Sequence, residues 1–239
     1  MKILYIGQYT KGTTSSMRGV AIKEILNPKI FDVIDTHLPF FKTHRLWRSI
    51  GFRYKSGPLI TNTNKFIVTS LKQETYDLIW VDKAVFITPN TTSLLKQKTS
   101  KLVHSTPDMA FYANKSKLFY ASLSFYDFCI TTKTVELDVY HKYLQKPKVL
   151  FMPQGFSKKN HKPHHSFSQK EDAIVFIGLA EPSRFKIAEV ILANNLKLKL
   201  VGFGWGSFVA KHKNNKNLQF LGTALYEDDY SHLISSSKF

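Results

Sequence analysis

Three hydrophobic runs in the first two thirds of the chain are each accompanied by side chains able to hold or move a proton. DLIWV is followed by Asp82 and Lys83, KLVHSTPDM contains His104 and Asp108, and DFCI is followed by Thr131, Thr132 and Lys133. An imidazole or a carboxylate can take the proton of a hydroxyl group if its surroundings tune its basicity, which makes His104 and Asp108 the candidate catalytic residues, as general base toward an acceptor hydroxyl. Asp82, Lys83, Thr131 and Lys133 are candidates for lining the same crevice. Each also has a plain structural reading: a hydrogen-bonded core histidine, or an aspartate closing a turn or capping a helix. Their shared position, just after successive strand-like runs, gives the group more weight than any member.

Two further places have residues suited to anions or sugar hydroxyls. After the first apolar run the chain reads Gly7, Gly12, Thr13, Thr14, Ser15 and Ser16, followed by Arg18. Small residues here allow close backbone approach, and a helix amino terminus offers free N–H groups; the pattern is not GxGxxG, and a Ser/Thr-capped turn explains it equally well. In the last third, Gly178 ends a strand-like run, Arg184 opens a helical segment, and Gly202 and Gly204 follow the next run. A cation beside a helix amino terminus suits a diphosphate, so these four are the candidate nucleotide-sugar residues, with tight strand-to-helix turns as the alternative. The segment 40–57 gathers Arg45, Arg48 and Arg53 with Phe40, Phe41, Trp47, Phe52 and Tyr54. Such a helix can lie on an anionic membrane surface or grip an anionic acceptor, or simply pack Leu46, Trp47 and Ile50 on a sheet. His161, His164 and His165 have no carboxylate or cysteine that completes a metal site and read as solvated.

The elements that must position these residues follow from periodicity. Short β-branched runs at 2–7, 31–36, 76–81, 101–105, 127–131 and 148–152 alternate with stretches of helical period, the pattern of parallel βαβ units. Val20 or Ala21 with Ile25, and Phe66 and Ile67 with Ser70 and Leu71, predict inward helix faces, and 117–126 and 135–144 read as further helices. The expected fold class is α/β: a doubly wound parallel sheet with its ligand crevice beyond the strand carboxyl ends. Residues 157–172 are polar, basic and aperiodic, as an interdomain linker would be. Strand-like runs then restart at 173–178, 197–204 and 218–222, with helices at 183–195 and near the end. The expected organisation is an amino-terminal Rossmann-like domain (1–156), a linker (157–172) and a partial second Rossmann-like domain (173–239) with an uncovered sheet edge.

Composition sets the outer bounds. At 239 residues, 43% hydrophobic and 14% aromatic, the chain can bury a sizeable core. No stretch is long and apolar enough to serve as a signal-peptide core or a membrane span, and Cys129 is the only cysteine, so a cytoplasmic protein without disulfides is expected. A formal charge of +17 favours polyanionic, phosphorylated or membrane partners. Only five of the 34 basic residues are arginine, which with the absence of a binding motif speaks against nucleic acid.

The motifs DLIWVDK, KLVHSTPDM, DFCITTK, VLFMPQGF, IVFIG with Arg184, and GFGW resemble, in this order, those of GT-B glycosyltransferases, in particular the CgeB-like group named after a spore maturation protein. The resemblance implies two Rossmann-like domains facing each other, acceptor on the first and nucleotide sugar on the second, and transfer of a sugar from a nucleotide-diphosphate donor to a hydroxyl without metal or other cofactor. It places His104 and Asp108 in an active-site loop, residues 153–156 at a hinge, and Arg184 near the donor diphosphate. The acidic residue that such enzymes use to hold the donor falls later than this sequence reaches, so a truncated, inactive binding module is the alternative expectation.

Overall fold

In a computed structural model that describes residues 1–239, the chain divides into two compact units, Met1–Gly155 and Phe156–Phe239. The first unit runs β1 (Lys2–Gly7), α1 (Thr14–Leu26), β2 (Ile30–Asp35), α2 (His37–Lys42), α3 (Arg45–Tyr54), α4 (Pro58–Thr69), β3 (Tyr76–Asp82), α5 (Pro89–Gln97), β4 (Thr99–Thr106), α6 (Lys117–Ser122), β5 (Phe128–Thr131), α7 (Leu137–His141) and β6 (Val149–Phe151). All six strands are parallel, in the order β2-β1-β3-β4-β5-β6. The sheet is doubly wound. The chain steps one way from β1 to β2 and the other way from β1 to β3, so the switch point lies between the carboxyl ends of β1 and β3, where such sheets open a crevice.

Register explains which side chains form the core. Strand side chains alternate between faces. Leu4, Ile6, Ile79, Val81 and Leu102 share one face and pack against Ile67 of α4, Leu95 of α5, Phe119 of α6 and Tyr140 of α7. Phe66 and Leu71 join this core as expected from their spacing, and Cys129 is buried in it.

The expectation for α1 is overturned. Val20 and Ile25 are exposed, and the buried positions are Ser15 and Gly19. The physical reason is close approach: a Cβ on Gly19 would come within 2.5 Å of the Tyr9 ring and 3.2 Å of the Tyr5 ring. Alpha-helical spacing read from β-branched residues therefore picks the wrong side of this helix. The expected helices at 117–126 and 135–144 are each shortened by a 3-10 turn, at Leu123–Phe125 and Thr134–Glu136. Segment 40–57 is divided into α2 and α3 by Thr43 and His44, whose ring Nδ1 accepts from the Leu46 N–H at 3.4 Å as the α3 amino-terminal cap.

The second unit runs β7 (Ile174–Ile177), α8 (Pro182–Ala193), β8 (Leu198–Val201), α9 (Gly206–Lys211), β9 (Leu218–Phe220) and α10 (Glu227–Ser235), with a parallel sheet in the order β7-β8-β9. Its core is built on Leu192, Leu198, Leu200, Trp205 and Phe208. Of the two sheet edges, β9 has no further strand beside it, whereas the β7 side is occupied. Val175 N–H donates to the Phe239 carbonyl, Phe239 N–H donates to the Ala173 carbonyl, and Glu171 bridges Ser237 in parallel. Nor are the three histidines simply solvated. His164 stacks on His232 of α10 with ring centroids 3.5 Å apart and its Nε2 meets the Ser231 hydroxyl at 2.8 Å, so part of segment 157–172 is tied to α10.

Gly202 holds the carboxyl edge of the second sheet together. Its φ is +150°, and a Cβ there would lie 1.8 Å from the Gly178 carbonyl oxygen, an overlap that only backbone movement can relieve. Gly202→Ala should lower the unfolding free energy by about 3 kcal/mol, measured as a shift of the urea midpoint. Gly206→Ala, where a Cβ meets nothing within 4 Å, should leave it within about 0.5 kcal/mol of the parent.

Candidate functional site

At the switch point of the first sheet, two small residues, Gly7 and Ser15, leave room for a buried carboxylate to reach its partner. A Cβ on Gly7 would approach the Asp82 Cβ and the Ser15 Oγ to 2.9 Å each, so the end of β1 leaves room for both. Asp82, the last residue of β3, is side-chain buried and accepts from Arg18 Nη1 at 2.5 Å. Its second carboxylate oxygen has no hydrogen-bond partner. Burial pushes the Asp82 carboxyl above the usual range, and the Arg18 guanidinium opposes that shift. The Tyr5 hydroxyl donates to the Ser15 carbonyl at 2.7 Å, which fixes the first turn of α1. Thr13 is the amino-terminal cap of α1, its Oγ1 accepting from the Ser16 N–H at 3.1 Å, and Gly12 stands at a φ of +84° in the preceding turn. Gly12, Thr13 and Arg18 therefore build the end of β1 and α1, and none of them lines the cavity that opens there.

That cavity, of about 220 Å³, lies over the strand ends and is walled by Asp82, Lys83, His104, Asp108, His37 and Phe52, among others. Lys83 follows β3 with a φ of +58°, a strained backbone for a lysine. Its N–H donates to the Ser105 carbonyl, and its Nζ pairs with Asp108 Oδ2 at 2.9 Å. His104 pairs in register with Val81, so its side chain leaves the sheet on the opposite face from Asp82. Its ring packs on Phe119 at 4.4 Å and Tyr126 at 5.4 Å between centroids. Burial lowers its pKa to about 3, and its Nδ1 has no partner. An imidazole so disfavoured from protonation is a hydrogen-bonding group at neutral pH rather than a proton acceptor. Thr131 is also at this edge, at the end of β5, but its hydroxyl is engaged by the Lys133 N–H at 3.1 Å, and neither residue lines the cavity.

Several residues of this site escaped the sequence reading. His37 lines the cavity from the start of α2, its Nδ1 at 2.7 Å from the Thr10 hydroxyl, and burial lowers its pKa despite the nearby Asp35 carboxylate. Glu136 is fully buried, and its two oxygens accept from the backbone N–H groups of Ala110 (3.0 Å) and Phe111 (2.8 Å), anchoring the loop that carries Asp108. Nothing in the local sequence distinguishes Glu136 from an exposed helical glutamate. His37 directly follows a strand and carried the same signal as Asp82.

In the second unit the candidate donor residues are already engaged. Arg184 Nη1 donates to the Leu179 carbonyl at 2.7 Å, lies 3.5 Å from Glu181, and its guanidinium sits 5.5 Å from the Phe176 ring centroid. Gly178 supplies a carbonyl that the Trp205 Nε1–H donates to at 2.9 Å. Gly202 and Gly204 take positive φ in the turn that follows β8. Three carboxyl, histidine or cysteine groups that could hold a metal ion occur together nowhere in the chain, and no helix is long and apolar enough to cross a membrane.

No family model matches the sequence, and no curated protein matches it. Solved structures do. The UDP-GlcNAc 2-epimerase of Neisseria meningitidis, bound to UDP-GlcNAc, superposes on 99% of this chain and 76% of its own, with a TM-score of 0.61 at 9% identity. The UDP-GlcNAc 2-epimerase of Methanocaldococcus jannaschii, in complex with UDP-GlcNAc and UDP, gives 0.59 at 12% identity over 99% and 77%. The MnaA–UDP structure from S. aureus gives 0.55 at 12% identity over 100% and 73%. The chain has a GT-B-like fold. Both of its sheets are parallel and Rossmann-like, and the cavity of the first opens at the β1/β3 switch point.

Two outcomes follow for the GT-B-like first unit. Arg18→Met leaves the Asp82 carboxylate buried without its cation and should cost about 3 kcal/mol in denaturant unfolding, whereas adding Asp82→Asn should recover most of the loss. For His104, unfolding restores the ordinary pKa of 6.5 from about 3. The unfolded chain therefore binds the proton first. The stabilisation is complete above pH 6.5 and is lost as pH falls toward 3. Between these limits the parent should lose about 1.4 kcal/mol per pH unit more than His104→Gln, measured by urea unfolding at a series of pH values.

Proposed function

We propose that this protein acts on a nucleotide-diphosphate sugar and transfers the sugar to a hydroxyl acceptor. The observation that carries the reading is the switch-point cavity, where two buried polar atoms, His104 Nδ1 and the second oxygen of Asp82, face no protein partner. Buried polar groups left unpaired are costly and are ordinarily satisfied by a ligand or water. A hydroxyl group is a suitable partner for either of them, from its own side of the sheet. Asp108, partly exposed and 2.9 Å from Lys83 Nζ, is the group best placed to take the hydroxyl proton, with Lys83 holding the carboxylate in the cavity wall. His104 then donates or accepts a hydrogen bond from the acceptor while staying neutral. On the second unit, Arg184 exchanges its neutral Leu179 carbonyl for the leaving diphosphate, and the charge that develops there is stabilised electrostatically.

The nucleotide-sugar class is supported by the ligands of the structural neighbours, UDP-GlcNAc and UDP. Those neighbours favour a second reading, epimerisation of the sugar while it remains on the nucleotide. The resemblance to CgeB-like proteins favours transfer. The two separate cleanly, because epimerisation converts UDP-GlcNAc without any acceptor, whereas transfer releases UDP only when a hydroxyl acceptor is supplied. A chain that binds UDP-GlcNAc and does neither is a non-catalytic module of the same fold.

Calorimetric titration with UDP and UDP-GlcNAc tests the common premise. Arg184→Ala should weaken UDP binding by about 1.5 to 3 kcal/mol, roughly tenfold to a hundredfold. Unchanged affinity, with unfolding behaviour like the parent, removes Arg184 from the donor site.

A further inference from the structure

Helices α2 and α3 carry a surface that the nucleotide-sugar reading does not use. Phe41, Leu46, Trp47, Ile50 and Tyr54 are exposed, Leu46 by 68%, Tyr54 by 65%, Phe41 by 61% and Trp47 by 46%. Leu46, Ile50 and Tyr54 recur every four residues and form one stripe along α3. The helix is pinned elsewhere, at Gly51, where a Cβ would come within 2.6 Å of the Leu59 Cβ. The stripe is thus held rigidly and left uncovered, a costly arrangement in water for so much contiguous apolar side chain.

Charge identifies what covers it. Between Asp35 and Glu74 there is no carboxylate, while Lys42, Arg45, Arg48, Arg53 and Lys55 fall on or beside α2 and α3. None of these five forms an ion pair. Instead, two of them lie along rings: Arg48 is 5.5 Å from the Phe40 centroid and 5.9 Å from that of Phe41, and Arg53 is 5.6 Å from that of Tyr54. Exposed apolar tips and an indole are therefore carried on the same pair of helices as guanidinium groups without ion-pair partners, with Arg53 flanking the stripe of α3 and Arg48 set against the rings of α2. Nucleic acid would satisfy the cations and leave Leu46 and Ile50 in water. A bilayer with anionic headgroups satisfies both, taking the aliphatic tips into its acyl boundary, Trp47 at the interface and the cations among the phosphates.

We propose that α2 and α3 form a peripheral docking face for an anionic lipid bilayer. Phe40 and Phe52 of the same helices line the switch-point cavity, so docking brings that cavity to the lipid surface. The inference does not require the nucleotide-sugar reading, because binding is measured without nucleotide.

The test uses the whole chain and two kinds of vesicle, phosphatidylcholine alone and phosphatidylcholine containing phosphatidylglycerol. Sedimentation should show binding to the second kind at low salt, weaker by about tenfold or more on the first. Leu46→Ser with Ile50→Ser should weaken binding to anionic vesicles by a similar factor, and Arg45→Gln with Arg48→Gln and Arg53→Gln should abolish the preference for phosphatidylglycerol. Thermal unfolding of each variant should match the parent, since every altered side chain projects from α3 at an exposed or half-exposed position. In the unmodified chain, brominated acyl chains should quench tryptophan emission, and Trp47→Phe should remove that quenching, because Trp205 is buried and Trp80 lies within β3. Absence of vesicle binding overturns the proposal. So does binding that heparin or DNA fully displaces and that the serine pair leaves unchanged, which would assign the face to a soluble polyanion.

Discussion

A buried carboxylate at the end of a central strand needs a cation, and much of the carboxyl edge of the first unit's sheet is arranged so that Asp82 has one. Arg18 can reach it only because α1 lies close against β1, and α1 lies close only because Gly19 meets the Tyr5 and Tyr9 rings without a side chain of its own. Gly7 makes the same allowance at the strand end, between Asp82 and Ser15. Tyr5 then locks the start of the helix through the Ser15 carbonyl. Breaking such a pair from one side leaves an uncompensated charge in the interior, at a cost of several kcal/mol. The glycines are consequently as much part of the electrostatics as the ions are.

The placement of Asp82 also accounts for the cavity. At the switch point neighbouring crossovers run to opposite sides, so no loop closes over the ends of β1 and β3. Asp82 turns one oxygen to Arg18 and leaves the other free, while His104 arrives from the opposite face with an unpartnered nitrogen. The backbone of Lys83 is held at positive φ at this point. Local strain of about 1 kcal/mol or more persists only where the surroundings enforce it, and here the result is an ammonium group turned onto Asp108 across the cavity wall.

How much of this was legible in the sequence depends on the scale of the interaction. Strands declare themselves through β-branched runs, and all nine overlap the stretches that periodicity marks, with β2, β3 and β4 running one or two residues past them, because burial on both faces demands continuous apolar residues. The carboxyl-edge position of Asp82, His104 and Thr131 follows from parallel topology alone. What was hidden depends on contacts between distant segments. The inner face of α1 is made of Ser15 and Gly19 rather than Val20 and Ile25, since close packing against tyrosine rings favours the absence of a side chain. Glu136 looks like a surface residue until the Ala110 and Phe111 N–H groups are seen to point at it from about 25 positions away. His104 looks like a base until Phe119 and Tyr126 are placed around it. Thr131 shares the edge but is consumed by its own turn.

In the second unit the limiting constraint is steric rather than electrostatic. Gly202 lies against the Gly178 carbonyl, which also accepts from Trp205, so the ends of β7 and β8 and the start of α9 are drawn to a single oxygen. This crowding fixes the strand-to-helix turn that precedes α8 and holds Arg184 beside it. The guanidinium is neither free nor committed: it gives a hydrogen bond to a neutral carbonyl and faces a carboxylate at 3.5 Å, half-exposed to water. A hydrogen bond to a charged oxygen is roughly twice as strong as one to a neutral oxygen. On the donor reading proposed above, a phosphate would replace the Leu179 carbonyl as the partner of Arg184, with the Phe176 ring beside the cation. Glu181 works against that exchange, because a carboxylate 3.5 Å from the guanidinium repels an incoming anion at the same helix amino terminus.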